Sequence, residues 1–172
     1  MTVSVQERTW LSEADRLQIE AFIAREAMLA DESRYSEWEA LVDDDMVYWV
    51  PTLEGAKHPI GTKIAIIFDN RSRVATRIRQ LNTGKRHSQV PASPMVRLQS
   101  NFHIEPLSDG AFSVKCSQVL HEYRIQSTRE LYTWPARVEY RLRRGPDGLK
   151  MFYKAVFLVA AADALPGLPF LI

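Results

Sequence analysis

The sequence has a single cysteine, Cys116, among its 172 residues. One cysteine cannot form a disulfide within the chain, so we expect a reducing compartment and a cytoplasmic location. The same count excludes any metal cluster that this chain alone would hold through two or more thiolates. Cys116 also lies within a strand pattern, which favours a small buried side chain over a nucleophile.

An excess of charge of either sign is also missing. The sequence carries 22 Lys and Arg residues against 21 Asp and Glu residues, a net charge of +1. Nucleic-acid-binding proteins usually carry a basic excess or a basic patch. The balance therefore argues against a nucleic-acid partner.

A long hydrophobic run is absent as well. The most apolar stretch, residues 155–172, is interrupted by an aspartate, two prolines and a glycine. It predicts a strand and a tail rather than a membrane span, so we expect no membrane partner. Residues 1–10 include charged side chains and lack the apolar core of a signal peptide. The length suits one domain, residues 1–172, with a flexible N-terminus over residues 1–11.

The familiar motifs of catalytic and nucleotide-binding sites do not occur. The sequence contains no G-x-G-x-x-G, G-x-x-x-x-G-K-[ST] or G-x-S-x-G pattern, which removes the usual signals for phosphate binding and for a serine nucleophile. The four histidines are far apart, and none is paired at the i, i+4 spacing of metal-binding helices. They are His58, His87, His103 and His121. We therefore expect no metal site in this chain.

At its N-terminal end, the sequence predicts two helices. Ser12 to Asp15 has the form of a capping box, and apolar residues then recur at helical spacing to about Ala30. Glu26 lies on this apolar stripe, where it either bonds to a neighbouring arginine or amide or serves a pocket or a subunit contact. A second, short helix is indicated by the spacing of Tyr35, Trp38, Leu41 and Val42.

The next segments predict a turn, a strand and a third helix. For the three aspartates at residues 43–45 we expect a solvated turn, because no glycine-bearing calcium loop follows them. Residues 46–50 form a β-rich run that Pro51 stops. The segment from Phe68 to Leu81 has helical spacing and a basic outer face.

From residue 95 onward the apolar period changes to two, which predicts strands. The predicted buried face of the first strand consists of Val96, Leu98, Ser100, Phe102 and Ile104. A strand over residues 112–126 changes its apolar register midway, which predicts a β-bulge near Ser117 and Gln118. Alternation then continues over residues 132–142, and a turn at residues 145–148 leads to a last strand over residues 149–160.

Helices followed by long antiparallel strands indicate an α+β fold. We expect a curved antiparallel sheet that wraps one face onto the N-terminal helices and forms a cone. Such a cone either holds a ligand or is filled by side chains. In an open cone, a carboxylate or histidine beside a tyrosine donor could transfer protons. The candidates for that chemistry are Tyr48, His121, Asp45 and Glu26.

Several segments resemble a known family. Residues 26–32, 35–41 and 44–51 read E-A-M-L-A-D-E, Y-S-E-W-E-A-L and D-D-M-V-Y-W-V-P. They resemble the small (β) subunit of aromatic-ring-hydroxylating dioxygenases, whose pattern runs E-A-x-L-L-D, then D/E-W-x-x-L, then D-x-x-Y-W-x-P. The resemblance continues through Ser100 and Asn101 to the apolar tail at residues 169–172. One departure is Ser93 to Arg97, where the family often has S-R-x-R-H.

The resemblance implies both a fold and a function. It implies the cone-shaped fold of nuclear transport factor 2, in a subunit with no metal and no catalytic residue of its own. The Rieske [2Fe-2S] cluster and the mononuclear iron of the oxygenase are then expected on a large (α) subunit. The implied assembly is an α3β3 hexamer with contacts between β subunits. Its implied role is in the catabolism of aromatic compounds, where it supports the large subunit and in some members influences substrate preference.

Two groups of residues are candidates for the subunit interface, although each also fits ordinary surface or core. The first is an aromatic and basic group: Tyr48, Trp49, Arg73 and Arg77. The second is the arginine face of a predicted strand: Arg137, Arg141 and Arg143. The alternative function is a stand-alone small-molecule isomerase or dehydratase of the same cone fold, because this fold hosts both kinds of protein.

Overall fold

The computed structural model describes residues 11–85, 87–107 and 109–172. Its longer elements, in chain order, are α1 (Glu13–Asp31), α2 (Tyr35–Glu39), β1 (Val42–Pro51), β2 (Ala65–Asn70), α3 (Arg71–Asn82), β3 (Met95–Pro106), β4 (Phe112–Tyr123), β5 (Leu131–Gly145) and β6 (Gly148–Leu158). Short 3-10 helices cover Gly55–Lys57 and His87–Gln89. The predicted flexible N-terminus lies outside the described residues except for Leu11.

The strands form one six-stranded sheet in the order β2-β1-β6-β5-β4-β3. The expected α+β class and curved sheet on N-terminal helices are confirmed, with one difference in the pairing. Strand β1 runs parallel to β6, while the other neighbouring strands are antiparallel. This parallel pair joins Val42 to Met151. A local pattern of alternation predicts that a strand exists, but it does not reveal a partner so distant in the sequence.

The N-terminal helices follow the predicted capping chemistry. The Ser12 hydroxyl accepts a hydrogen bond from the Asp15 amide at 3.0 Å, so the capping-box prediction is confirmed at this bond and α1 begins at Glu13. The expected solvated turn at residues 43–45 is wrong, because these aspartates belong to β1. Asp43 and Asp45 both form ion pairs with Arg143, so the strand continues with its carboxylates on the outer face.

The segment predicted as a helix from Phe68 begins as a strand. Strand β2 extends to Asn70, whose side-chain oxygen accepts a hydrogen bond from the Arg73 amide at 3.0 Å. Asn70 is therefore the N-cap that separates β2 from α3. The helical spacing holds only beyond it, where Val74 and Ile78 are buried.

For β3 and β4, the two strands at one edge of the sheet, the structure corrects the predicted inward-facing residues. In β3, Val96 and Leu98 are 52% and 62% exposed, whereas Arg97 between them is buried. The bulge lies in β3, between Ser100 and His103, and it brings Phe102 inward. Strand β4 pairs with β5 without a break, so the predicted bulge near Ser117 and Gln118 is wrong. The prediction failed because it assumed an apolar inner face, whereas Gln118 and Glu122 point inward and are buried.

The alternation predicted for β5 is confirmed. Its buried inner face consists of Trp134, Ala136, Val138, Tyr140 and Leu142. The turn to β6 is also confirmed, with Gly148 at a φ of 118° that favours glycine.

The inner face of the sheet packs on α1, and side chains fill the space between them. Ile19 and Ile23 of α1 are fully buried. The tail beyond β6 adds the last layer, because Phe170, Leu171 and Ile172 are at most 1% exposed. The cone is thus filled by its own residues. None of the helices in the described ranges is long and apolar enough to span a membrane.

The bulge in β3 depends on Asn101, which has a φ of 57°. Only glycine, asparagine and aspartate adopt this left-handed conformation at low cost. We expect Asn101→Val to lower the free energy of unfolding by about 1 to 2 kcal/mol. Asn101→Gly is the matched control and should stay within about 0.5 kcal/mol of the wild type. Urea denaturation measures both, and equal losses in the two variants would contradict the backbone explanation.

Candidate functional site

The centre of the cone holds a fully buried ion pair. The Lys154 ammonium lies 2.8 Å from the Glu26 carboxylate, and both side chains are 0% exposed. Glu26 comes from α1 and Lys154 from β6. The Trp38 indole donates to Glu26 Oε1 at 2.6 Å, and the Tyr140 hydroxyl donates to Oε2 at 3.3 Å. One carboxylate therefore connects α1, α2, β5 and β6.

The pairing of the strands explains how these groups meet. Tyr48, Lys154 and Tyr140 are direct neighbours across β1, β6 and β5. All three point inward, and the Lys154 nitrogen lies 5.9 Å and 5.6 Å from the centres of the Tyr48 and Tyr140 rings. The negative ring faces and the Glu26 carboxylate both favour the charged ammonium at this position.

A chain of amides extends the network toward the edge of the sheet. The Gln99 side chain of β3 donates to the Tyr140 hydroxyl at 2.9 Å and to the side-chain amide oxygen of Gln118 at 3.1 Å. The Tyr140 hydroxyl therefore accepts from Gln99 and donates to Glu26. These bonds fix the orientation of the hydroxyl and link β3 to the central carboxylate.

The surroundings of Glu26, Lys154 and Tyr140 set the charge that each side chain carries. Burial raises the pKa of Glu26, but the Lys154 ammonium and the Arg97 guanidinium outweigh this and hold that pKa below its ordinary value. Burial lowers the pKa of Lys154, and the Glu26 carboxylate opposes that change. Burial and the same carboxylate raise the pKa of Tyr140 well above its ordinary value. The centre is thus a carboxylate and an ammonium held beside a neutral phenol.

This arrangement favours structure over proton transfer to a substrate. Glu26 Oε1 accepts from both Trp38 and Lys154, and Oε2 accepts from Tyr140. A general base must reach the proton that it abstracts. Glu26 is 0% exposed, so a substrate would have to displace its present partners.

The tail closes the cone over this network. The Tyr48 hydroxyl donates to the Ile172 carbonyl at 2.9 Å and accepts from the Ile172 amide at 2.9 Å. The buried Arg97 guanidinium bonds to Asp31 and to the Leu171 carbonyl. Phe170 contacts Trp134 edge to face, with ring centres 6.0 Å apart. Burial raises the pKa of Tyr48 to about 12, so its hydroxyl remains a donor.

The four candidate catalytic residues do not form one site. Glu26 and Tyr48 lie inside the cone. His121 lies on the outer face, where Nδ1 is 3.1 Å from the Thr133 hydroxyl. Asp45 also lies outside and pairs with Arg143 at 2.5 Å. The sheet therefore separates the two inner candidates from the two outer ones.

Besides Arg97, the sequence analysis missed two fully buried charged residues. One is Lys154. The sequence feature that could have revealed it is its position as a lysine among the apolar residues of β6. The other is Glu122, which is 0% exposed and accepts from Ser93 at 3.0 Å, Trp134 at 3.2 Å and Arg124 at 3.1 Å. The sequence feature that could have revealed Glu122 is its position two residues after Leu120, because residues two apart lie on the same face of a strand.

Metal ligands are not gathered in the described part of the chain. No group of three or more His, Cys, Asp or Glu residues there could hold a metal ion. Burial raises the pKa of the Cys116 thiol to about 11, which keeps it protonated. A Rieske centre needs two thiolates and two imidazoles, so the residues of this chain do not fit that cluster.

The outer face of the sheet carries the predicted interface arginines. Arg137 and Arg141 are exposed, and neither has a carboxylate oxygen within 4.0 Å among the described residues. The Arg141 guanidinium lies 4.9 Å above the Tyr153 ring. Arg143 is instead paired with Asp43 at 3.2 Å and with Asp45. Arg137 and Arg141 are thus the two members of this group that are free to meet a carboxylate.

The aromatic and basic group is less accessible. Tyr48 and Trp49 are 0% and 7% exposed, and the Trp49 ring packs edge to face on Phe157 with centres 5.7 Å apart. Arg77 forms a largely buried pair with Asp69 at 2.7 Å. Arg73 is exposed and donates to the Phe68 carbonyl at 3.0 Å. Of these four residues, Arg73 alone presents its side chain to solvent.

Comparison with known proteins adds an independent observation. A family model described as "Ring hydroxylating beta subunit" matches residues 25–162. The chain is 22% identical to benzene 1,2-dioxygenase subunit beta of Pseudomonas putida, covering 82% of this chain and 80% of that protein. It is 27% identical to the small oxygenase component of the p-cumate 2,3-dioxygenase system of the same organism, covering 83% and 78%.

A solved structure shares the fold. It is the beta subunit of the benzoate 1,2-dioxygenase from Burkholderia mallei, with a TM-score of 0.70 and 22% identity. The alignment covers 87% of this chain and 92% of that chain.

The buried ion pair yields a prediction for stability. We expect Glu26→Gln and Lys154→Met each to lower the free energy of unfolding by about 3 to 5 kcal/mol, because each leaves a buried charge without its partner. The double variant should lose less than either single variant. Chemical denaturation of the four proteins gives the coupling energy. Additive losses would mean that the two charges do not stabilise each other.

The same pair predicts the acid limit of stability. The folded protein holds the pKa of Glu26 below its ordinary value of 4.5, so this carboxyl binds fewer protons folded than unfolded near that pH. Its stabilisation is complete above pH 4.5 and is lost as the pH falls through the folded-state pKa. We expect urea titrations to show a steeper acid loss in the wild type than in the Glu26→Gln/Lys154→Met variant. Parallel curves below pH 4.5 would contradict this assignment.

Proposed function

Because this chain belongs to the family of ring-hydroxylating beta subunits, we propose that it is the small subunit of a multicomponent aromatic-ring-hydroxylating dioxygenase. The family match confirms the resemblance found in the sequence. Its proposed role is to support the assembly of the catalytic large subunit and to influence substrate preference in the breakdown of aromatic compounds.

The closed centre of the cone is the observation that best supports a structural role for this chain, rather than a catalytic one. Glu26 is bonded to three side chains, and the tail covers the network through Tyr48 and Arg97. A stand-alone isomerase or dehydratase would need an open cavity with a reachable acid or base. The filled interior favours the subunit over that enzyme.

The redox groups of such an oxygenase are proposed to lie on the large subunit. A Rieske [2Fe-2S] cluster and a mononuclear iron would supply electron transfer and oxygen activation there. Cys116, the one cysteine of this chain, is buried and protonated, so it suits a core position. A thiol of this kind is also compatible with the proposed cytoplasmic location.

The proposed assembly is an α3β3 hexamer in which the large subunit contacts the outer face of the sheet. Arg137 and Arg141 support this placement, since both are exposed and lack a carboxylate partner among the described residues. Arginine beside aromatic rings is a common centre of protein interfaces. Arg73 and Arg143 would lie at the margin of this contact. Tyr48, Trp49 and Arg77 would support it from beneath.

Co-expression tests the function. We expect this chain to purify in a stable complex with a large subunit that carries the Rieske C-x-H and C-x-x-H motifs, and we expect hydroxylation of an aromatic substrate only from the complex. Failure to associate, together with turnover of a substrate by this chain alone, would favour the stand-alone enzyme.

The interface prediction uses charge reversal at two arginines. Arg137→Glu/Arg141→Glu should weaken binding of the large subunit by at least about tenfold, because new carboxylates would face those of the partner. Arg129→Glu, an exposed position in the loop between β4 and β5, is the control and should bind normally. Titration by light scattering or calorimetry measures the affinities. Normal binding by the double variant would mean that the interface does not include Arg137 and Arg141.

A further inference from the structure

The face that β3 turns toward α1 is polar along part of its length. Arg97 and Gln99 point inward, and the bulge after Ser100 brings Phe102 to the same side. Opposite them, α1 presents residues spaced three or four apart, which lie on one face of a helix. That face carries two alanines, Ala24 and Ala27, whose short side chains leave the space against β3 unfilled.

The unfilled space is a groove of about 600 Å³ between α1 and β3. This volume is in the range of small-molecule sites. The walls of the groove are largely apolar: Ala24, Ala27, Met28, Met95, Val96 and Phe102. Met28 and Val96 are 45% and 52% exposed, so the groove opens to solvent. Thioether and aromatic side chains both pack favourably on aromatic rings, which makes a ring the suitable occupant.

Two buried donors beside the groove lack an acceptor. The Arg97 side chain is 0% exposed, and its Nε has no hydrogen-bond partner among the described residues. The same is true of Gln118 Nε2, and Gln118 is bonded to Gln99, which lines the groove. Unpaired buried donors are rare in native structures. They indicate an acceptor that comes from outside the chain.

The groove also offers acceptors. Gln99 uses its amide nitrogen in the bonds to Tyr140 and Gln118, and its Oε1 accepts no hydrogen bond from the described residues. Carboxylates border the groove: Glu20, Asp31 and Glu32. A hydroxyl group both accepts and donates, so it matches this set of partners. A carboxylate would be repelled by the border, and a hydrocarbon would leave the donors unpaired.

We propose that the groove between α1 and β3 binds a neutral aromatic molecule that carries a hydroxyl group on its ring. The ring lies against Met28 and Phe102. The hydroxyl oxygen accepts from the Arg97 guanidinium, and the hydroxyl hydrogen is donated to Gln99 Oε1. The proposal rests on the proposed function and deepens it, because ring hydroxylation yields molecules of this class. The small subunit would then hold a binding site for the kind of product that the complex releases.

Fluorine NMR of the isolated full chain at about pH 7, where a phenol is neutral, tests the ligand class. The probes are 4-fluorophenol, 4-fluorotoluene and 4-fluorobenzoate. We expect 4-fluorophenol to bind at least about fivefold more tightly than 4-fluorotoluene, whose methyl group cannot form the hydrogen bonds. It should bind at least about tenfold more tightly than 4-fluorobenzoate, whose charge meets the carboxylates of the border. No binding of 4-fluorophenol, or equal affinity for any two of these probes, would overturn the proposal.

A matched pair of variants on α1 tests the location. Ala24 is exposed and lines the groove, whereas Ala21 is exposed on the same helix and does not line it. Ala24→Phe fills the groove and should lower the affinity for 4-fluorophenol at least about tenfold, while Ala21→Phe should stay within about twofold of the wild type. Circular dichroism verifies that both variants are folded. Equal affinities of the two variants would place the ligand elsewhere and overturn the proposal.

These measurements need no large subunit. A chain that co-purifies with a large subunit but does not bind 4-fluorophenol would refute this inference and leave the proposed function intact. A chain that binds 4-fluorophenol in the groove but fails to associate with a large subunit would refute the proposed function alone.

Discussion

The charge of Glu26 and the need to neutralise it organise the interior of this protein. A buried carboxylate is costly unless it is paired and hydrogen-bonded. Here Lys154 supplies the opposite charge, while Trp38 and Tyr140 supply further donors. Because these four residues come from α1, β6, α2 and β5, the helices can pack on the sheet in essentially one register. Aliphatic packing alone would specify that register less sharply.

Because the buried polar groups satisfy one another, the surface is the part of this protein that can contact other molecules. A cone-shaped sheet on a helix can enclose a ligand, but in this chain the polar centre is satisfied by the protein's own groups. The tail then seals it through Tyr48 and Arg97. What the molecule offers to others is an outer face on which Arg137 and Arg141 are exposed and have no carboxylate partner among the described residues. These are the features of a subunit, in agreement with its membership of the ring-hydroxylating beta subunit family.

Local chemistry could be predicted from the sequence more reliably than side-chain direction. The Ser12 cap, the inner face of β5 and the turn before Gly148 each depend on neighbouring residues, and each was correct. The register of β3 was not, because its inward positions hold Arg97 and Gln99 while its apolar Val96 and Leu98 face outward. Periodicity identifies the apolar face of a strand, but it cannot show that the core itself is polar. Lys154 was missed for the same reason, since only the fold brings it to Glu26.

The parallel pairing of β1 with β6 has a consequence for how the chain reaches this structure. Strands β3 to β6 can pair in sequence through hairpins, because each is the neighbour of the next. Strand β1 has no partner on its β6 side until the chain has been synthesised past Lys154. Loop closure over such a distance is slow. Tyr48 and Trp49 of β1 therefore pair with β2 before they gain their β6 neighbours, Lys154 and Ala155. Formation of this long-range pair is therefore a late step of folding, and β1 stays accessible to chaperones or to a partner until the pair forms.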